Sequence, residues 1–179
     1  MTDLDEHGRP EPPLAGDEIG TLRGFLDLQR ATFAWKCAGL DSKGLQTSVA
    51  SSTMTLGGMM KHLALVEESW FGERLRDRDD RPPWNVIDWK SDPDWEWRSA
   101  ADDSPEQLHA QWDESVAYAN AMLDVALSEG GVEQLARRKL SAGCAPSLRW
   151  ILCHMIEEYA RHNGHADLIR EAIDGETGE

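Results

Sequence analysis

Three histidines and two glutamates stand close together in His154-Met-Ile-Glu-Glu158-Tyr-Ala-Arg-His162-Asn-Gly-His165. On a helix, residues four apart lie one above the other. His154 and Glu158 have that spacing, as do Glu158 and His162, and His165 follows His162 by three. Imidazole and carboxylate groups stacked in this way suit two kinds of chemistry, divalent-metal ligation and proton transfer. The surrounding pattern is that of a helix that should bury apolar side chains. Such a conflict between local pattern and packing need is where function tends to sit.

Helical phase sorts these groups. Leu148, Ile151, Met155, Tyr159, Ile169 and Ile173 define the apolar stripe. At about 100° per residue, His162 falls near the middle of that stripe and Glu158 on its flank. His165 lies further round and His154 furthest. A carboxylate turned partly inward needs a partner. That partner is a metal ion, a buried arginine or a plain Glu–His hydrogen bond. A lone inward histidine is more often a hydrogen-bonded core residue than a ligand. A metal would need a third ligand from another helix, and His62, in Gly58-Met-Met-Lys-His62-Leu-Ala, is the strongest candidate. Alone, His62 reads as a half-exposed surface histidine at the edge of its stripe.

Other metal patterns fit less well. The HExxH zinc motif is absent. A di-iron carboxylate bundle needs two Glu-x-x-His motifs, and only Glu106-x-x-His109 fits, at the exposed start of a helix. What remains is a single ion with His62, Glu158 and His162. Three protein ligands with open positions left over is the catalytic arrangement rather than the structural one. The set suits Zn, and Ni, Fe, Mn and Co are compatible with it.

Four helices are expected to carry these residues. Asp17 caps the first, which runs to about Leu40 with Ile19, Leu22, Phe25, Leu26, Phe33 and Cys37 at helical spacing. Ser42 to Thr53 reads as a loop. Thr55 caps the second, carrying Leu56, Met59, Met60, Leu63, Val66, Trp70 and Phe71, and it stops before Arg81-Pro82-Pro83. Residues 78–104 read as a long connection holding Trp84, Trp89, Trp95 and Trp97. These four either line the mouth of the site or pack the connection onto the bundle or a second subunit, with packing the more common role. Ser104-Pro105-Glu106-Gln107 has the form of a capping box opening the third helix, which Gly130-Gly131 ends. Ser147 caps the fourth, which ends near Gly175. The expectation is an all-α four-helix bundle over residues 17–179, with long second and third connections and a flexible arm at 1–16.

Composition narrows the partners. The chain has 179 residues and a formal net charge of -15. That surface repels phosphate backbones and anionic lipid headgroups, so neither nucleic acid nor membrane is an expected partner. The 3 cysteines include no CxxC pair and give no disulfide framework. With no signal-peptide pattern in Met1–Gly16, a cytoplasmic location is expected.

Two segments together resemble the DinB-like superfamily of four-helix metal proteins. They are Thr55-Leu-Gly-Gly-Met-Met-Lys-His62-Leu-Ala-Leu-Val-Glu-Glu-Ser-Trp70-Phe71 and Ser147-Leu-Arg-Trp-Ile-Leu-Cys-His154-Met-Ile-Glu-Glu158-Tyr-Ala-Arg-His162-Asn-Gly-His165-Ala-Asp167. The chain is especially similar to the branch with the actinobacterial mini-circle-type proteins and the mycothiol-dependent maleylpyruvate isomerases. The resemblance implies one metal ligand from the second helix and two from the fourth, here His62, Glu158 and His162. Many members carry histidine where Glu158 stands, and the glutamate form looks like the mycothiol-dependent branch. The implied activity is a metal-dependent S-transferase or isomerase using a low-molecular-weight thiol such as mycothiol and a small electrophile. His165 and His154 are the candidates for proton transfer or support of the ligands, and a homodimer is implied. Some isomerases of this type carry a further C-terminal domain, and this chain ends at Glu179, so maleylpyruvate itself is not the expected substrate. The alternative reading is a non-enzymatic DinB-like metal-binding or interaction protein, and a third is a bundle whose site holds no metal.

Overall fold

Each long helix begins at the cap its sequence supplies. The computed structural model describes residues 3–140 and 143–177. Helix α1 (Glu18–Cys37) is capped by Asp17, whose carboxylate accepts from the Gly20 amide at 2.7 Å. A four-residue helix α2 (Ser42–Leu45) follows, capped by Asp41. It lies where the sequence reads as loop, because a single capped turn is too short to show a period. Helix α3 (Leu56–Glu67) is capped by Thr55. The long connection after it holds a five-residue helix α4 (Trp95–Ser99). Helix α5 (Pro105–Gly130) opens with the expected capping box of Ser104 and Gln107. Helix α6 (Leu148–Asp174) is capped by Ser147 and ends at Gly175, whose φ of 79° is the left-handed conformation glycine adopts without strain.

The fold is all-α. Among the described residues no β-strand forms, only the isolated bridges Leu4–Pro10 and Leu135–Ser147. Helix α1 packs along α6 and α3 along α5, and α3 also meets α6. Leu26, Phe33, Met59, Leu63, Phe71, Leu123, Met155 and Tyr159 are buried among them. Among the described residues no helix is long and apolar enough to cross a membrane.

The α3 helix does not stop at Glu67. It widens into a π-helical segment, Glu68–Arg74. The buried positions explain this. Leu63, Glu67, Phe71 and Leu75 are all buried, and they recur every four residues. On an α-helix that spacing drifts by about 40° per step. A π turn, bonded i to i+5, is wider and absorbs the drift, so one face stays inward.

Glu67 is inward but not alone. Arg30 Nε and Nη2 donate to its two oxygens at 2.7 and 2.6 Å. Tyr159 Oη donates to Glu67 Oε1 at 2.8 Å, and Trp112 Nε1 donates to Tyr159 at 3.0 Å. Arg30 Nη1 also reaches Asn120 Oδ1 at 3.0 Å. Burial and the Glu67 carboxylate both push the Tyr159 phenol well above its ordinary pKa, so it stays protonated and donates. Helices α1, α3, α5 and α6 thus share one buried polar network.

Residues 3–16 lie against α1. His7 stacks on Trp35 at 4.4 Å, Arg9 Nη1 donates to Thr32, and Pro12 and Pro13 approach Gly24. In the long connection, Trp84 is buried and meets Trp95 edge-on at 6.1 Å, and Trp89 does so at 6.4 Å. Lys61 of α3 sits 4.4 Å over the Trp95 ring and pairs with Asp103. Trp84, Trp89 and Trp95 therefore pack the connection onto α3.

Candidate metal centre

The α3–α6 contact brings His62, Glu158 and His162 together. His62 Nε2 and His162 Nε2 each lie 3.4 Å from the same Glu158 oxygen, Oε1. One ligand atom from each residue falls within 4.8 Å of the others. Two ligands each about 2.1 Å from a tetrahedral ion are about 3.4 Å apart. The donor set and its spacing therefore fit a divalent ion. His162 is buried, and His62 and Glu158 are each 20% exposed, so the cluster is reachable from one side.

The remaining histidines divide. The His165 ring lies 5.7 Å from that of His162. Its Nδ1 is buried and has no hydrogen-bond partner. The Asp167 carboxylate, two residues on, lies 2.7 Å from Lys36. His154 stands in a different setting. Its ring stacks on Trp150 at 5.1 Å and meets Trp70 edge-on at 4.5 Å, with Glu157 3.9 Å from its Nδ1. None of these contacts is with the cluster.

One feature of the site had no counterpart in the sequence reading. Glu96 of α4 places Oε1 3.2 Å from His62 Nδ1. Its neighbour Trp97 stacks on the His62 ring at 4.6 Å. Of the four tryptophans in the connection, Trp97 is the one that reaches the site. A signal was present, in a lone carboxylate between two tryptophans, Trp95-Glu96-Trp97. Its partner is 34 residues away, however, and no periodicity links them.

Compared with protein families, residues 21–175 match the model described as mycothiol-S-transferase. The chain belongs to the mycothiol-S-transferase family. That match runs from the first turn of α1 to the end of α6 and covers both segments that carry the DinB-like resemblance. Curated proteins provide no match to the chain.

In this member of the family the electrostatics of the cluster are set by its own residues. Hydrogen bonds from His162 and then His62 hold the Glu158 carboxyl well below the usual carboxylate range, against the opposing effect of burial. For His62, burial lowers the pKa, but hydrogen bonds to Glu158 and Glu96 outweigh it and hold it above the ordinary value. A raised histidine pKa means the protonated contacts stabilise the metal-free protein at low pH and are lost as pH rises through the folded value. A metal needs the neutral ring. Protons therefore compete with the ion at higher pH than they would at an ordinary histidine. Zinc affinity, titrated against a chromophoric chelator between pH 8.5 and 6, is expected to fall about tenfold per pH unit below the raised pKa. A flat profile over that range would contradict the assignment.

Proposed function

We propose that this protein is a metal-dependent S-transferase, joining the sulfur of a mycothiol-type thiol to a small electrophile. The observation that carries the reading is the convergence of two imidazoles on Glu158 Oε1, within a chain of the mycothiol-S-transferase family. His62, Glu158 and His162 would hold the ion, with zinc favoured by the nitrogen and carboxylate set. Such an ion, when bound, lowers the pKa of a thiol beside it, so that thiolate predominates near neutral pH.

The chain's own groups do the rest. Glu158 neutralises one charge of the ion, leaving the site less positive than three histidines would. His165, with an unpartnered buried Nδ1 beside His162, takes the thiol proton. The sulfur forms its bond to carbon, and the leaving group departs with the electron pair. With an unsaturated electrophile, the adjacent carbon takes the proton back instead. His154, held between Trp70 and Trp150, has no part in this sequence. A reducing cytoplasmic setting remains part of the reading. A homodimer remains part of the reading and is checked by light scattering.

The test is turnover. Zinc-loaded protein made without a histidine tag is mixed with monobromobimane and mycothiol, bacillithiol or glutathione. Conjugation above the uncatalysed rate is expected with mycothiol, and chelation should abolish it. Absence of metal-dependent conjugation with all three thiols would remove the reading.

A further inference from the structure

Glu96 is 5% exposed, and its Oε2 is buried without a partner. Among the described residues, His62 is the only hydrogen-bond partner of its carboxylate. A buried carboxylate with one partner is a poor stabilising device, since an apolar side chain between Trp95 and Trp97 would cost less to bury. Yet α4 is firmly anchored around it. Trp95 is covered by Lys61, and Lys61 is tied to Asp103. Trp97 lies so close to α3 that a Cβ on Gly58 would stand 3.0 Å from its ring. The carboxylate therefore has a fixed address, and that address is the far nitrogen of His62.

We infer that Glu96 is a positioning residue for the metal centre. It accepts the Nδ1–H of His62 and so turns the Nε2 lone pair toward Glu158 and His162. The two faces of the imidazole edge are then assigned, Nδ1 to α4 and Nε2 to the ion. Trp97 holds the plane of the ring by stacking. On this account the Trp-rich connection delivers one carboxylate to one histidine. The inference rests on the metal centre proposed above, and it does not depend on thiol transfer.

The experiment compares wild type with Glu96→Gln and Glu96→Leu by zinc competition titration and thermal melting. Glu96→Gln keeps the shape, loses the charge and no longer dictates which nitrogen carries the proton. Glu96→Leu suits a buried site and, with zinc removed from both proteins, should melt at or above the wild-type temperature. Both are expected to bind zinc about 10–100-fold more weakly. In long-range proton–nitrogen spectra of the zinc-loaded wild type, His62 should carry its proton on Nδ1, and that signal should be lost or moved in both variants. Wild-type zinc affinity in folded variants would overturn the positioning role and leave the transferase reading standing. Tight zinc binding by wild type, weakened in the variants, without any conjugation would overturn the transferase reading and leave this one intact. A wild type that binds no zinc overturns both.

Discussion

Glu67→Ala should be among the most destabilising single substitutions in the chain, lowering stability by about 3–5 kcal/mol. The Arg30 side chain is 5% exposed and that of Glu67 is fully buried. Deleting the carboxylate strands a buried guanidinium and takes the acceptor from Tyr159 at the same time. For a chain of this length the loss corresponds to a fall in Tm of roughly 6–20 °C. The pair as a whole is a different matter. Removing both charges in Arg30→Met/Glu67→Leu replaces ions with apolar groups of similar size, and most of the loss should be recovered. Urea unfolding of the two single variants and the double variant measures the coupling directly. A Glu67→Ala cost below about 1 kcal/mol, within the range of ordinary surface changes, would show that the network is not a core interaction.

The second large effect is on metal content. His62→Ala and His162→Ala each remove one of the three proposed ligands. Wild-type protein purified without a tag should hold about one zinc per chain. Each variant should lose more than ~100-fold in affinity, beyond the range seen for residues behind a ligand. Glu158→Ala should behave likewise. Glu158→His should keep the ion, because an imidazole nitrogen replaces the carboxylate oxygen as the donor. His154→Ala should also keep the ion, since the contacts of that ring are with Trp70 and Trp150. Elemental analysis of all five variants separates these outcomes. Unchanged zinc in both His62→Ala and His162→Ala would sink the site.

The parts of the molecule that sequence made legible are those with short-range causes. Asp17, Thr55, Ser104 with Gln107, Ser147 and Gly175 act on amides within a few residues, and the start of each long helix and the end of α6 follow from them. Glu158 and His162 were legible because four residues make one helical turn. His62 required more, namely phase on a second helix and the resemblance to a family of metal proteins. What escaped was long-range. Glu67 is bonded to Arg30 at a distance of 37 residues and to Tyr159 at 92. The inward phase of Phe71 and Leu75 beyond it depends on a π segment that no α-helical period can foretell. Helix α4 is five residues long, so its pattern carries no period at all. Glu96 looked like one more acid in a polar connection. Only the docking of α4 on α3 gives it a partner.

The ligand arrangement has a consequence for how the protein holds together. His62 and Glu158 are 96 residues apart in the chain. An ion shared between them would close that span as a reversible cross-link, and closing a loop carries an entropic cost that grows with its length. The unfolded chain cannot present the two ligands side by side, so occupancy draws the equilibrium toward the native state by mass action. On the proposed assignment, the centre would be a clasp between α3 and α6 as well as a place for chemistry. It closes only when the tertiary structure is complete, so its occupancy reports the assembly of the whole domain rather than the formation of any one helix.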